Sequence, residues 1–447
     1  MEYAEKIHLY VTEHKDEIIN TLKELIKIPS VRGAAELDAP FGGACAEILD
    51  YTEKLYSQNS FETELHKQDG YLLSYFGTGK KTLGFFAHAD VVDVTDDWVH
   101  TTPFEPIEKD GYLVGRGVLD DKSAIVISLY CAKMLKELHI PFHSKLVMFT
   151  GSNEESGMAD IENYLKNHTA PDFSLVCDTA FPLYRGDKSG MNFWVTFNTE
   201  LKNIQDFYGG STMNIILGQA FAEVNGVKLT ETGISRHSAL PEGSLNAGYR
   251  LAKKLSERED ICESDRVQML LLSDILEKYY GEIFGIEHCD ECGKLTCTNG
   301  IIQTNNHKIT LGFNMRFGLS ADTEIIKRNI ISFFEKHNCT VTFEEEKKGY
   351  IIPENNNYIQ ACLTSYSDFT GDQNPPTYIN AGGTYARKLP CAVETGTTLQ
   401  WGVPENTPQG HGGAHQSDEC TSITGILQAL ELTLQMLLTC DKAENPF

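Results

Sequence analysis

The residues able to do chemistry fall in five short stretches: FFAHADVV with His88 and Asp90, GRGVLDDKSA with Asp120 and Asp121, TGSNEESG with Glu154 and Glu155, CDTA with Asp178, and, far downstream, GGAHQSDE with His415. Neutral imidazole nitrogen and anionic carboxylate oxygen, converging at about 2 Å from one point, are the donor set of a zinc ion. Taken singly, each stretch has an ordinary reading. A histidine after a strand is commonly a hydrogen-bonded core residue, Glu154-Glu155 fits an exposed acidic turn, and Asp120-Asp121 fits a helix N-cap ahead of KSAIVISLY. Taken together, the ordinary readings leave several inward-facing carboxylates that repel one another unless a cation neutralises them.

The elements around these stretches have a recognisable order. Ile and Leu recur at helical spacing over residues 4–27, stopping before Pro29, and a second helix fits 43–57. Apolar runs of strand length follow: YLLSYF (71–76), LGFFAHA (83–89), KLVMFT (145–150) and FSLVCD (173–178). The helical patterns KSAIVISLYCAKMLKEL and MADIENYLKNH separate the last three. Strands alternating with helices predict a mostly parallel sheet covered on both faces, with its site beyond the carboxyl ends of the strands. Each acidic or histidine stretch of this half reads as a strand end or the turn after it.

From residue 187 the texture changes. NFWVTFN, an acidic helical stretch near 246–283, KITLGFNMRF, a helix at 322–337 and TVTFEEE predict a small α+β domain ending in a β-α-β unit. After residue 350 come a helix (356–369), a strand-like TYINAGGT and a final helix (419–439). The predicted fold is α/β: a catalytic domain of 1–186 and 350–447, interrupted by an inserted α+β domain at 187–349. GTGKKT (77–82) lacks the spacing of a phosphate loop.

Bulk properties narrow the functional classes. At 447 residues, two domains are the default. A formal charge of −25, from 38 basic and 63 acidic residues, disfavours nucleic acid as a partner. The longest apolar run lies around Ala124–Ala132, short of the roughly 18 residues of a membrane span, and MEYAEKIHLY has no secretory apolar core. A cytoplasmic protein with no membrane partner is the expectation, its twelve cysteines reduced and mostly buried. His288, Cys289, Cys292 and Cys297 could hold a structural zinc, but without a second paired half their spacing reads as a surface loop.

The series His88-Ala-Asp90, Gly-Arg-Gly-x-x-Asp120-Asp121-Lys, Glu154-Glu155-Ser-Gly, Asp178 and His415 resembles the zinc aminoacylase, carboxypeptidase and dipeptidase family, with a bacterial cytosolic dipeptidase branch as the nearest type. DDWVHTTPFEPIEKDGYLVGRG resembles the family's stretch between its first two motifs, and AGGTYAR (381–387), with Gly383 and Thr384, resembles a dipeptidase signature that contacts substrate. The resemblance implies two zinc ions. His88 and Asp178 would bind one, Glu155 and His415 the other, and Asp120 would bridge them. Asp90 would accept a hydrogen bond from the His88 imidazole, Glu154 would be the general base, and the Asp120–Asp121 peptide would be cis.

In the inserted domain, GGSTMNIILGQA, TGISRHSALPEGSLNA and NMRFG resemble family segments. They imply that Asn214 touches substrate, that His237 donates to the oxyanion, and that Arg316 clamps the peptide carboxylate. Ile215-Ile216, Arg236, Ser238, Ser123 and Asn153 depart from the family pattern, none at a ligand position. The implied activity is hydrolysis of dipeptides or very short peptides. Deacylation of N-acyl amino acids and carboxypeptidase action are alternatives at the same site, and a non-catalytic metal-binding relative is an alternative of another class. The long inserted lid resembles the type that completes its own site, implying a monomer, with a dimer as the other arrangement.

Overall fold

The computed structural model describes residues 3–443, which divide into two compact units. The first comprises residues up to Gly186 together with Ile351–Tyr378 and Gly383 onwards; the second comprises Asp187–Tyr350 and Ile379–Gly382.

The first unit is built on a twisted mixed sheet. Its consecutive strands are Glu62–His66, Tyr71–Phe76, Lys145–Gly151, Thr82–His88, Phe173–Thr179 and Ala392–Gly396. The first two pairings are antiparallel and the next three are parallel. The predicted strand runs match these elements to within a residue. Parallel neighbours need crossovers, and helices Lys122–Glu137 and Ala159–Asn167 supply them. Four adjacent parallel strands therefore end side by side, with His88 level with Gly151.

Helix Lys122–Glu137 lies against strand Thr82–His88 and helices Lys15–Ile26 and Ile423–Lys442. Every residue from Lys122 to Leu135 is buried, which explains an apolar run with no polar face. The longest apolar segment is not this one. Helix Ile423–Lys442 has 20 residues and is apolar enough by length and composition to cross a membrane, with 72% of that window buried inside the fold. Residues 4–27 form two helices, Ala4–Glu13 and Lys15–Ile26, broken at His14.

A small antiparallel sheet joins Ile107–Lys109, Tyr112–Val114 and Cys420–Ser422. It sets the segment after Val114 beside the segment before Cys420, with Cys420 opposite Val114. The loops that carry Asp120 and His415 are thereby brought together across some three hundred residues of chain.

The second unit has a four-stranded antiparallel sheet in the order Thr296–Asn305, Lys308–Phe317, Ser189–Phe197, Cys339–Phe343. Helix Thr323–Lys336 connects Lys308–Phe317 to Cys339–Phe343 across the intervening strand, so the β-α-β unit is split rather than adjacent. Ile204–Tyr208, Gln219–Val224 and Val227–Thr232 form a second sheet. The predicted helix near 246–283 is two helices, Ala247–Ser256 and Glu263–Leu276. Phe193, Phe313, Leu251, Leu272 and Phe334 belong to one separate apolar core.

His288, Cys289, Cys292 and Cys297 do not converge on an ion-sized space. Cys289–Asp290 and Gly293–Lys294 make a tight hairpin, Asp290 accepts from the Cys292 and Ser320 amides, and Cys297 sits in a strand opposite Met315. All twelve cysteines are free thiols.

Phe149, on the central sheet, stacks with Tyr71 and Phe86 and meets Tyr164 and Tyr385 edge-on. Phe149→Ala removes the shared partner of four rings, and a loss of about 3–5 kcal/mol is expected. Urea unfolding followed by tyrosine fluorescence should show an earlier midpoint for the variant.

Candidate active site

The strand ends supply most of the site. His88 closes its strand, Asp178 is the penultimate residue of Phe173–Thr179, and Glu154 and Glu155 lie in the turn after Gly151. Asp120 is the exception to the strand-end pattern: it stands immediately ahead of helix Lys122–Glu137, with the loop from residue 115 between it and the strand Tyr112–Val114. Its peptide bond to Asp121 is cis. His415 comes from the loop before Cys420–Ser422 and adopts a left-handed backbone, φ 63°. Such backbone in a non-glycine residue is held only where the surroundings enforce it.

All five candidate ligands meet. Asp120 Oδ1 lies 3.0 Å from His88 Nε2 and Oδ2 lies 3.0 Å from His415 Nε2. Asp178 Oδ1 stands 3.6 Å from His88 Nε2, and Glu155 Oε1 is 3.1 Å from His415 Nε2. Two overlapping donor groups result, His88–Asp120–Glu155 and His88–Glu154–Asp178, each with its ligand atoms within 4.8 Å of one another.

A different set of carboxylates holds the loops. Asp90 does not take its hydrogen bond from the imidazole mainly through its side chain. Its backbone carbonyl accepts from His88 Nδ1 at 2.9 Å, while its carboxylate lies 3.5 Å from that nitrogen and accepts the Glu154 and Glu155 amides at 3.1 Å. Asp121 stands at the N-cap of the helix without capping it; its carboxylate accepts the His88 amide instead.

Asp160, Tyr385 and Glu419 are participants that the sequence reading missed. Asp160 accepts the Ser152 and Asn153 amides, both 2.8 Å, and a hydrogen bond from the Tyr385 hydroxyl. Gly151 is required there: a Cβ would meet Tyr385 Oη at 2.0 Å and Asp160 Oδ2 at 2.4 Å. Glu419 accepts from Arg116 at 2.6 Å and from the Gly117, Leu119 and Asp120 amides. The cues to these roles in the sequence were an acidic residue close to a recognised motif and, for Tyr385, a place in AGGTYAR, both of them weak.

The electrostatics favour a cation. Burial and the Asp178 charge push Glu154 well above the usual carboxylate range, and burial with Asp120 raises Asp178 to about 7. Burial pulls the His88 imidazolium down, but Asp120 and Asp178 outweigh it and leave the group raised. Hydrogen bonds to Asp120 and Glu155 lift His415 to about 11. Protons on the imidazoles are thus the only positive charge against four carboxylates, and the buried Glu154 Oε1 has no hydrogen-bond partner. Nitrogen and oxygen donors in this number fit divalent metal ions, zinc in particular.

The remaining candidates serve other local structure. Thr384 is buried, donates to Glu394 and accepts the Ala386 amide at the start of a short helix. A Cβ at Gly383 would meet the Arg387 guanidinium at 2.0 Å. In the second unit, Asn214 and Arg316 line a cavity of about 360 Å³ with Asn192, Asn314 and Lys347. Arg316 Nε donates to Asn314 Oδ1, which also accepts from the Ser238 hydroxyl. His237 is not among the cavity's walls; it pairs in a bridge with Ile215, and its neighbour Ser238 donates its amide to the Asn214 carbonyl.

A mixed sheet whose parallel strands end beside gathered histidine and carboxylate donors is the framework of a metallohydrolase. The chain belongs to peptidase family M20/M25/M40, whose sequence pattern matches residues 84–439, and it is a metallopeptidase. It is 27% identical to a Staphylococcus aureus (strain USA300) protein that carries the provisional name dipeptidase, over 86% of this chain and 90% of that one. Its fold is similar to human carnosine dipeptidase 1 (TM-score 0.62, 14% identity, 98% and 99% of the two chains). It is similar also to a di-peptidase from Saccharomyces cerevisiae (TM-score 0.61, 14% identity, 98% of both chains).

Ligation requires neutral imidazole and ionised carboxylate, so a metal held by His88 and His415 would displace their protons. Zinc titrated into the metal-free protein near pH 7 should release more than about two protons, from the imidazoles and the raised carboxyls, and affinity should fall as pH falls. Calorimetry in buffers of different ionisation enthalpy measures this. A heat independent of buffer would mean the imidazoles are already neutral.

Proposed function

We propose that this chain is a dipeptidase that uses two zinc ions, one held by His88 and Asp178 and the other by Glu155 and His415, with Asp120 bridging. One observation carries the reading: the two oxygens of Asp120 are each 3.0 Å from a different imidazole. Each imidazole can then share its own ion with one Asp120 oxygen.

When bound, the ion pair supplies Lewis acidity, acidifying a water and polarising the scissile carbonyl. His88 is set for ligation because its Nδ1 donates to the Asp90 carbonyl, turning Nε2 toward Asp120 and Asp178. Glu154 takes the proton of the attacking water and passes it to the leaving amine. Geometry alone allows Glu154 as a ligand beside His88 and Asp178. Its uncommitted oxygen favours the base, because Glu155 is already bonded to His415. His237 donates to the oxyanion, Asn214 contacts the substrate, and Arg316, steadied by Asn314 and the Gly382 carbonyl, binds the peptide carboxylate. The dipeptidase names of the staphylococcal, yeast and human proteins support short peptides as the substrate class. The enzyme acts as a cytoplasmic monomer.

Glu154→Ala should lower turnover by roughly a thousandfold or more with both zinc ions retained, measured by metal analysis beside activity. Loss of an ion would reverse the roles of the two glutamates. His237→Ala should chiefly lower kcat, by about 2.7–4 kcal/mol of barrier, and Arg316→Ala should chiefly raise KM. Dipeptides should be cut in preference to tripeptides and N-acetyl amino acids. Preference for N-acetyl amino acids would favour the deacylase reading, and mixed Glu154→Ala and His237→Ala proteins should recover no activity.

A further inference from the structure

Glu64, His66 and His168 form a second group of metal-ligand side chains in the first unit, used by no step of the reaction above. Glu64 and His66 stand two residues apart on strand Glu62–His66, at the sheet's edge, and so project from one face. His168 follows helix Ala159–Asn167 directly. One donor atom from each lies within 4.8 Å of the other two. Among the described residues this is the only such group outside the strand-end centre.

His66 Nε2 is the atom that points to a ligand. It is buried and has no hydrogen-bond partner, although Glu64 Oε2 stands 3.6 Å away. That separation is too long for a hydrogen bond. Two ligands of one tetrahedral zinc, each bonded at about 2.0–2.1 Å, stand roughly 3.3 Å apart. The spacing therefore suits donors flanking a cation better than a bonded pair. A buried nitrogen without a partner is costly, and a cation would satisfy it.

The two rings are already held in place. His66 stacks on Tyr71, centroids 4.5 Å apart, and His168 stacks on Tyr164 at 5.2 Å. The Tyr71 hydroxyl lies 3.1 Å from His168 Nε2, and the two imidazoles meet edge to face at 87°. Glu64 is 42% exposed, leaving a way in for an ion and room for water to complete its coordination.

We propose that Glu64, His66 and His168 form a separate divalent-cation site, suited to zinc by its two nitrogens and one carboxylate. The test compares zinc content after equilibrium dialysis of the full chain against its His66→Ala/His168→Ala variant. Reading a difference makes it independent of how many ions the strand-end centre holds. The double variant should carry one zinc fewer per chain and keep its hydrolytic activity. Glu64→Gln, at an exposed position that leaves the fold unperturbed, should weaken the same ion by at least the roughly tenfold that loss of a mere supporting partner costs. Equal zinc content in wild type and double variant overturns the site. So does a lost ion that takes hydrolysis with it, or Glu64→Gln affinity equal to wild type.

Discussion

The Asp120 carboxylate is shared between His88 and His415 at 3.0 Å on each side, and the first unit is organised to keep that sharing possible. Four carboxylates and two imidazoles are gathered together, and burial makes the charges on His88 and the carboxylates expensive, while the His415 side chain stays half exposed. The arrangement persists only if no loop can drift and let a charge escape to water. Strand pairing fixes His88, Asp178 and the start of the glutamate turn. The small sheet at Tyr112–Val114 and Cys420–Ser422 fixes the other two contributors. Glu419 then fastens the Asp120 loop through three backbone amides and Arg116.

Much of this was readable before the structure. Strands such as Tyr71–Phe76 and Lys145–Gly151 are buried on both faces and announce themselves as short apolar runs. The five ligand candidates were legible only jointly: each alone has an ordinary reading, but together they leave inward carboxylates that repel one another without a cation. What failed was local. Residues 257–262 interrupt a helical pattern that periodicity alone carries through, and TYINAGGT contributes only Tyr378–Asn380 as strand because its glycines turn the chain. Asp120 was misplaced for a similar reason: its position depends on a sheet formed with residues three hundred positions away.

Asp160, Tyr385 and Glu419 were invisible for a deeper reason. Their partners are backbone amides, one another or, for Glu419, the distant Arg116, and none of these leaves a mark on residue type. Tyr385 reaches Asp160 across 225 positions, and Gly151 is small so that the pair can close over the strand end. Seen in sequence, Gly151 is a turn residue, Asp160 an acidic residue in a helix's first turn, and Tyr385 part of a signature.

The same distinction sorts the carboxylates of the whole unit. Asp90, Asp121, Asp160, Asp418 and Glu419 accept from backbone amides, whose fixed dipoles offset part of the cost of the buried anion, although one Asp121 oxygen is buried without a partner. Asp120, Glu154, Glu155 and Asp178 face imidazoles, one another or no partner at all. An anion in that state stays buried only with a proton or a metal ion beside it. Asp120 and Asp121 are adjacent, yet one belongs to each class; so do Asp90 and His88's other neighbour, Asp178. Counting amide donors separates the carboxylates that build the centre from those that fill it, where residue type and spacing cannot.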